Sequence, residues 1–355
     1  MKSGIIYIIL FALIFHNMPR ITIAVSGRGW EEVMDILAAR YTLFAPVIDE
    51  GYQDYEVIGK DNLHLVVFHL PRPTTPIKTF FLPVRQNVSY AWHPDKEVLL
   101  FGVPACDLAA LSILDEMYLQ QEYTDIYYKK RRENTVLIGT DCHDILENCH
   151  CACYGIQPYP AVQHDIRMSR TDKDCILEAR TSRGEQLLEE IRSLVSVKEV
   201  TATDQAYVAA TNQRVVEDII NLHPQLPDYA SSGELLKQAA EDVWKDHAST
   251  CVSCGACATI CPTCTCFLLI DRPDFEKIRQ MDACQYPGFT RVAGGEDHLH
   301  ALSERFRHRY MCKYVWKPLK FNSMACTGCG RCIDACIGHI NKNEILTSLA
   351  SVTAS

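Results

Sequence analysis

The sequence predicts an α/β N-terminal domain with a mostly parallel or mixed sheet over residues 18–230, followed by a mainly α-helical domain over residues 231–355. Short apolar runs separated by helical patterns fill the first part, as expected for strands that a parallel sheet buries on both faces. Beyond a proline-containing stretch at 223–228, cysteines gather into two compact motifs. A chain of 355 residues is long enough for two domains with separate cores.

Apolar patterning places the individual elements of these two domains. A helix at 107–120 is expected to begin at Asp107, because aspartate favours N-cap positions. Residues 26–29 resemble the start of a dinucleotide-binding loop but lack its third glycine and its acidic partner, so we predict a turn. The predicted strands are 21–25, 41–47, 63–70, 98–102, 136–139, 166–169, 176–179 and 197–200, and the predicted helices are 30–40, 107–120, 184–195 and 235–247.

The charge balance and the N-terminus restrict the class of protein. A formal net charge of −9 argues against nucleic-acid binding, which uses Lys and Arg to neutralise phosphates. An apolar run at 5–15 is too short to span a bilayer, which takes about 20 residues, and no clear cleavage site follows it. We expect residues 1–17 to be a leader or a misassigned start before Met18, because a strand pattern begins just beyond it.

Eight of the 18 cysteines form two copies of the pattern C-x₂-C-x₂-C-x₃-C. Bunched cysteines in a long chain indicate metal ligation, and this spacing is the one with which bacterial ferredoxins hold [4Fe–4S] clusters. Three thiolates two residues apart can wrap one cube, while the fourth cysteine is expected to begin a helix and ligate the other cube. The second domain is therefore predicted to be a two-[4Fe–4S] ferredoxin-type domain. Cluster 1 is assigned to Cys251, Cys254, Cys257 and Cys336, and cluster 2 to Cys326, Cys329, Cys332 and Cys261.

Zinc is the main alternative for these motifs, since zinc sites also use C-x₂-C pairs. Two complete runs of four cysteines favour iron–sulfur clusters. Cys264 and Cys266, just after the first motif, are either extra ligands or small buried residues near a cluster, and we favour the second interpretation. Metal-binding thiols are hard to reconcile with an oxidising compartment, so we expect a cytoplasmic protein. Structural roles are expected for the isolated cysteines Cys175, Cys284 and Cys312.

A third metal site is predicted in the N-terminal domain. If the runs at 98–102 and 136–139 are parallel strands, the cysteines that follow them lie at strand carboxyl ends, where ligands bind in open sheets. Two further cysteines lie close enough along the chain to fold back. The alternatives are unligated loop thiols or zinc. The predicted third iron–sulfur site comprises Cys106, Cys142, Cys149 and Cys151, with His150 and Cys153 as spare candidates.

Further motifs make the chain resemble the iron–sulfur component of anaerobic sulfite reductase and the related beta subunit of cytoplasmic sulfhydrogenases, a 4Fe–4S dicluster family. The resemblance covers roughly residues 20–345. The chain departs from the family pattern at His150, at the extra Cys153, and at Ile337, where a proline commonly follows the last cysteine. The matching pieces are Cys106-Asp-Leu, Glu147-Asn-Cys-His-Cys151, the stretch 251–267 with Pro-Thr-Cys-Thr-Cys-Phe, Tyr286-Pro-Gly-Phe, Ala-Gly-Gly295, Glu304-Arg-Phe-Arg and Cys326-Thr-Gly-Cys-Gly-Arg-Cys.

The resemblance implies a role in electron transfer. Members of this family pass electrons from a subunit that binds flavin and NAD(P)H to a catalytic subunit that carries siroheme or nickel–iron, or in the reverse direction. Our leading hypothesis is an electron-transfer subunit of an anaerobic reductase rather than its catalytic subunit. The sequence also contains no G-x-S-x-G motif, the signature of a serine nucleophile. A stand-alone oxidoreductase with a substrate or cofactor at the N-terminal cysteines is the alternative, and a structural zinc protein is the third hypothesis.

Overall fold

The structure, a computed structural model, describes residues 21–67, 70–90 and 96–353. The apolar run at 5–15 and the expected leader or misassigned start at 1–17 lie outside the described residues. Within them, the strands are β1 (Thr22–Ser26), β2 (Thr42–Asp49), β3 (Tyr52–Val57), β4 (Arg85–Asn87), β5 (Val98–Pro104), β6 (Thr135–Thr140), β7 (Ile166–Arg170), β8 (Asp174–Ala179), β9 (Phe267–Asp271) and β10 (Lys277–Met281).

The α-helices alternate with the strands up to β8 and dominate the rest of the chain. A short π-helical segment, Cys312–Trp316, continues one of them. Within the described residues, the helices are α1 (Gly27–Arg40), α2 (Lys78–Phe81), α3 (Ala105–Tyr118), α4 (Ile126–Glu133), α5 (Ser182–Leu194), α6 (Ala202–Leu222), α7 (Tyr229–Gln238), α8 (Glu241–Ala248), α9 (Ala256–Thr259), α10 (Leu302–Met311), α11 (Lys317–Phe321), α12 (Arg331–Asp334) and α13 (Lys342–Thr353).

The N-terminal region is built on a seven-stranded mixed sheet in the order β1-β8-β7-β6-β5-β2-β3. The central strands β2, β5, β6 and β7 pair in parallel, whereas the outer pairings are antiparallel. Successive residues of β5 point to opposite faces: Leu99 packs in the core with α1 and α5, and Leu100 packs in the core with α2, α3 and α4. Both faces are covered by helices, which confirms the predicted α/β class and explains the uninterrupted apolar runs.

The predicted strand at 63–70 is wrong where the structure describes it. Residues Leu63–Leu65 form a 3₁₀ helix, and only an isolated bridge between Val47 and Val66 follows. Both edges of β2 are already paired: β3 returns on one edge through a tight turn at Glu50 and Gly51, both with positive φ, and β5 pairs with the other edge as far as Phe44. Leu63 and Val66 instead pack against the core as a cover. Their apolar character reflects this burial and not strand pairing.

Two predicted helix starts also need correction. Residues 26–29 do not form a turn, because Ser26 is the N-cap of α1 and accepts a hydrogen bond from the backbone N–H of Gly29 at 3.4 Å. Asp107 is not an N-cap, since α3 begins two residues earlier behind Pro104. Its side chain is fully buried, accepts a hydrogen bond from the Ile77 N–H at 3.2 Å and forms an ion pair with Arg331.

The helix α6 was not predicted, although its start carries a recognisable signal. Thr201 and Asp204 form a capping box before the apolar positions Val215 and Ile219. The predicted strand at 197–200 reduces to a single bridge between Ala24 and Lys198. The predicted helix at 235–247 is two helices, α7 and α8, since Ala239 and Ala240 have extended backbone dihedrals.

The C-terminal region is mainly helical, as predicted. Its core packs α7, α8, α10 and α13 around Trp244, whose indole contacts Phe306 and Tyr310 at centroid distances of 6.4 and 5.6 Å. A second sheet, in the order β4-β10-β9, joins the two regions, because β4 precedes residue 230 and its partner β10 follows it. The boundary near residue 230 stays a prediction.

The buried ion pair between Asp107 and Arg331 links α3 to the second cysteine motif, with both side chains at most 1% exposed. Asp107→Ala would leave a guanidinium buried without its carboxylate, so we expect a loss of about 3–5 kcal/mol in the free energy of unfolding. Glu234→Ala, which breaks an exposed pair with Lys237, serves as the control and should cost less than about 1 kcal/mol. Anaerobic urea unfolding measures both, and equal small losses would contradict the expectation.

Candidate metal centres

The two cysteine motifs fold into the same local structure. In each, a glycine with positive φ, Gly255 at +72° or Gly330 at +77°, precedes a four-residue helix. These helices, α9 and α12, carry the third cysteine of each motif. The fourth cysteines, Cys261 and Cys336, lie two residues beyond the helices and begin none, which corrects the expected helix start. The helices α9 and α12 end after a single helical turn, so neither fourth cysteine is part of a helix.

One cavity collects the predicted ligands of cluster 1. Its wall includes four thiols that come from both motifs, as the crossed assignment requires, together with Cys332 of the other set. Cys336 also accepts a hydrogen bond from the Ile340 N–H at 3.3 Å. Arg309 and Lys342 line the same cavity. The predicted cluster 1 residues found there are Cys251, Cys254, Cys257 and Cys336.

Some predicted ligands of cluster 2 lie near the buried Lys313, and others lie near one another. The set is Cys326, Cys329, Cys332 and Cys261. Lys313 donates hydrogen bonds to Cys261 Sγ at 2.9 Å and to the Ala325 carbonyl, next to Cys326, at 3.1 Å. Cys329 lies within the range of charge interaction of Cys261 and Cys332. A hydrogen bond with Cys264 and the Lys313 ammonium hold the pKa of Cys261 well below its usual range, which favours the thiolate that metals bind.

Four buried cations surround these thiols without carboxylate compensation. Lys78, Arg309, Lys313 and Lys342 are between 1% and 5% exposed. The groups that most stabilise their charges are cysteine thiols and, for Arg309 and Lys342, a tyrosine hydroxyl. A buried charge is costly unless an opposite charge lies near. The region is therefore built to enclose negative charge.

The donor set fits iron–sulfur clusters. Cluster thiolates bring the negative charge that the buried cations require, and [4Fe–4S] clusters are held by four such ligands. Among the described residues, no three His, Cys, Asp or Glu side chains converge closely enough to hold a single metal ion. A cube takes one thiolate at each of four separate irons, so its ligands need a wider frame than those of a mononuclear ion.

The structure also brings together the cysteines of the predicted third site. Cys106 and Cys142 follow the adjacent parallel strands β5 and β6 by two residues, at the carboxyl ends where both were expected. Cys142 lies within the range of charge interaction of Cys106 and Cys149, and Cys151 lies within that range of Cys142 and Cys149. Burial raises the pKa of Cys106, Cys142 and Cys151. The loop cysteines thus fold back onto the sheet edge.

The spare candidates for this site are engaged elsewhere. His150 is fully buried, accepts a hydrogen bond from Lys342 at 2.8 Å and donates one to the Asn148 carbonyl at 2.8 Å. Burial and the Lys342 charge lower the pKa of His150 well below its usual value, so the ring is neutral. Cys153 faces the Ile219 carbonyl of α6.

The loop of the third site packs directly on the second cysteine motif. His150 N–H donates to the Gly328 carbonyl at 2.8 Å. A Cβ on Gly328 would lie 2.5 Å from Cys151 backbone atoms, and one on Gly330 would lie 2.5 Å from the Asn148 carbonyl oxygen. These contacts bring Cys329 of the cluster 2 set within the range of charge interaction of Cys106 and Cys151.

Sequence reasoning missed the buried cations. A lysine or arginine in a helical segment is normally exposed, and no spacing rule marks Arg309 or Lys313 as an internal residue. One weak signal was available: Arg309 and Lys313 lie in the stretch just before the second motif. No helix in the described ranges is long and apolar enough to cross a membrane.

Gly328→Ala tests the close packing of the loop on the second motif. Gly328 has φ +66° and no room for a Cβ, whereas Gly295 has φ +89° with open space around it. Both alanine variants carry backbone strain of about 1 kcal/mol, but only Gly328→Ala must also move the Cys151 backbone. We expect Gly328→Ala to lower the free energy of unfolding by at least about 2 kcal/mol more than Gly295→Ala. Equal losses in anaerobic denaturation would contradict this packing.

Comparisons with known proteins agree with this geometry. Residues 250–340 match a family model described as a 4Fe-4S dicluster domain. The chain is also 28% identical over 319 residues to sulfhydrogenase 2 subunit beta of Pyrococcus furiosus, an alignment that covers 83% of this chain and 88% of the relative. The chain is a homologue of a sulfhydrogenase beta subunit and carries a C-terminal 4Fe–4S dicluster domain.

Proposed function

We propose that this protein is the electron-transfer subunit of a multi-subunit anaerobic reductase of the sulfhydrogenase or sulfite reductase type. The observation that carries the proposal is the cavity lined by Cys251, Cys254, Cys257 and Cys336 and walled by Arg309 and Lys342. Four thiols beside buried cations suit an anionic iron–sulfur cluster. When bound, such clusters transfer electrons one at a time, over potentials of about −700 to +450 mV.

The order of the cysteine sets supports a relay. Cys332, assigned to cluster 2, also lines the cavity of cluster 1. Cys329, also assigned to cluster 2, lies within the range of charge interaction of Cys106 and Cys151 of the third set. From these two proximities we infer that the three sets form a row, with cluster 2 in the middle. A row of neighbouring sites suits a subunit that carries single electrons between a two-electron donor and a catalytic centre.

The proposed partners follow from the homology. The relative is named as a subunit of a sulfhydrogenase, and we propose that this chain likewise joins a flavin- and NAD(P)H-binding subunit to a catalytic subunit of the siroheme or nickel–iron type. We place the complex in the cytoplasm, since a reducing compartment keeps the many thiols available for ligation.

The function is tested by anaerobic photoreduction of the purified protein, with iron and acid-labile sulfide measured on the same sample. At least about 8 irons per chain are expected for two clusters, with about one electron taken up per cluster. Cys254→Ala should lose about 4 irons. Zinc without sulfide, or iron that takes up no electrons, would contradict the proposed function.

The third site can be tested with two cysteine variants in the same loop, one of which is a matched control. Cys151→Ala is expected to remove about 4 irons per chain, because Cys151 lies near Cys142 and Cys149 and is assigned to the third set. Cys153→Ala should leave the iron content unchanged, since its thiol faces α6. Iron analysis of the two variants shows whether the third set of cysteines binds iron. Unchanged iron in Cys151→Ala would mean that these thiols are unligated.

Lys313→Met tests whether the lysine tunes cluster 2. Its ammonium donates to Cys261 Sγ, and a nearby positive charge stabilises the more negative, reduced state. Removing the charge should lower the potential of one cluster by on the order of 50 mV. The exposed Lys320→Met is the control, with no expected shift. Potentiometric titration followed by electron paramagnetic resonance measures both, and an unchanged or raised potential in Lys313→Met would contradict the assignment of Cys261.

A further inference from the structure

The thiols assigned to cluster 1 lie nearer the surface than those of the other two sets. Cys254 is the one exposed cysteine of the 18 in the chain. The set assigned to cluster 2 and the set of the third site each contain three buried thiols, whereas the set of cluster 1 contains none. Because electron transfer slows steeply with distance, cluster 1 is the site that a second protein can reach most directly.

Two exposed apolar side chains flank this thiol. Val252 lies two residues before Cys254 in the first motif, lines the cluster 1 cavity and is 60% exposed. Ile337 directly follows Cys336 in the second motif and is 65% exposed. Both side chains would gain free energy by leaving water, yet this chain alone leaves them on its surface, next to cluster ligands.

The two apolar side chains belong to one continuous surface. A Cβ on Gly338 would lie 2.3 Å from the Thr250 carbonyl oxygen and 3.6 Å from the Cys251 Cα. The backbone that follows Ile337 is therefore in direct contact with the backbone that precedes Val252. Gly338 and Cys251 also line the cluster 1 cavity, so both apolar residues lie at the edge of that cavity.

Tyr286 extends this surface on the side of the first motif. A Cβ on Gly255 would lie 2.5 Å from the Tyr286 ring, so the ring packs directly on the motif, and it remains 36% exposed. Arg305 fixes the loop beyond the tyrosine, because its guanidinium donates to the Leu299 carbonyl at 2.9 Å and to Ser253 Oγ at 3.4 Å. Backbone contacts and hydrogen bonds thus hold the surface in place.

The composition of this surface indicates the kind of partner that fits it. We call it the cluster 1 face, and its residues are Val252, Cys254, Tyr286 and Ile337. Exposed polar side chains follow on the same loops, at Arg291, Glu296 and His339. Contiguous apolar surface with a polar rim marks protein interaction sites. Permanent interfaces are larger and more apolar than weak electron-transfer encounters, so the composition favours a lasting partner.

We propose that the cluster 1 face is the docking surface of a permanently bound redox subunit. This subunit covers Val252 and Ile337 with apolar side chains and brings its one-electron redox group next to Cys254. The inference rests on the proposed function, because only an electron-transfer subunit needs a partner at this place. A second copy of this chain would bring two identical clusters together, and electron exchange between identical centres does not serve a relay.

Charged variants of the face test the docking. The complex is purified anaerobically through a tag on this chain, and flavin, siroheme or nickel retained per chain is measured after size-exclusion chromatography. Val252→Glu combined with Ile337→Glu should weaken retention at least about tenfold, because each carboxylate would be buried against an apolar surface. Leu194→Glu is the control, since Leu194 is 61% exposed on α5, which packs on the N-terminal sheet. Equal retention in both would overturn the inference.

Hydrogen–deuterium exchange of the wild-type protein does not depend on how these variants fold. Exchange at 250–255 and 336–340 should be slower in the complex than in the isolated chain, and equal exchange would overturn the inference. A wild-type chain that retains no redox subunit, or whose face is covered in a dimer of this chain, would also overturn it. Wild-type protein that holds iron but takes up no electrons on photoreduction would instead contradict the proposed function itself.

Discussion

Buried positive charge is the constraint on which the C-terminal region depends. Arg309, Lys313 and Lys342 lie inside the protein, and cysteine thiols are prominent among the groups that stabilise their charges. Uncompensated buried cations would destabilise any fold, so the polypeptide here is only part of a stable unit. We propose that anionic clusters complete it, and that the same cations then favour the reduced, more negative states. One arrangement thereby serves both folding and electron transfer.

The second constraint is the close contact between the two regions. Gly328 and Gly330 lack side chains where the loop at 148–151 crosses them, and the buried pair of Asp107 and Arg331 fixes α3 beside α12. Residues assigned to cluster 2 and to the third site are thus held on one rigid frame. A relay needs such fixed separations, whereas two domains on a flexible linker would vary them. The N-terminal sheet acts as a scaffold for this contact.

The sequence predicted those features that depend on local pattern. Apolar runs located β5 and β6, and C-x₂-C spacing grouped the cysteines that line the cluster 1 cavity, because both signals are short in range. Other features set by tertiary contacts were not predicted. Within the run at 63–70, Leu63 and Val66 pack against the core as a cover, because β3 and β5 already pair with the two edges of β2. Buried lysines carry only a weak sequence signal, their position close to the cysteine motifs, since their burial depends on the charge they enclose.

The most direct test of this account is removal of the clusters with an anaerobic chelator, followed by far-ultraviolet circular dichroism. The free energy of metal binding is part of the folding free energy in such sites. We predict that helical signal is lost in step with iron and sulfide, because Arg309, Lys313 and Lys342 are left as uncompensated buried charges. An unchanged spectrum after complete loss of iron and sulfide would show that the polypeptide tolerates these cations alone, and would contradict the account.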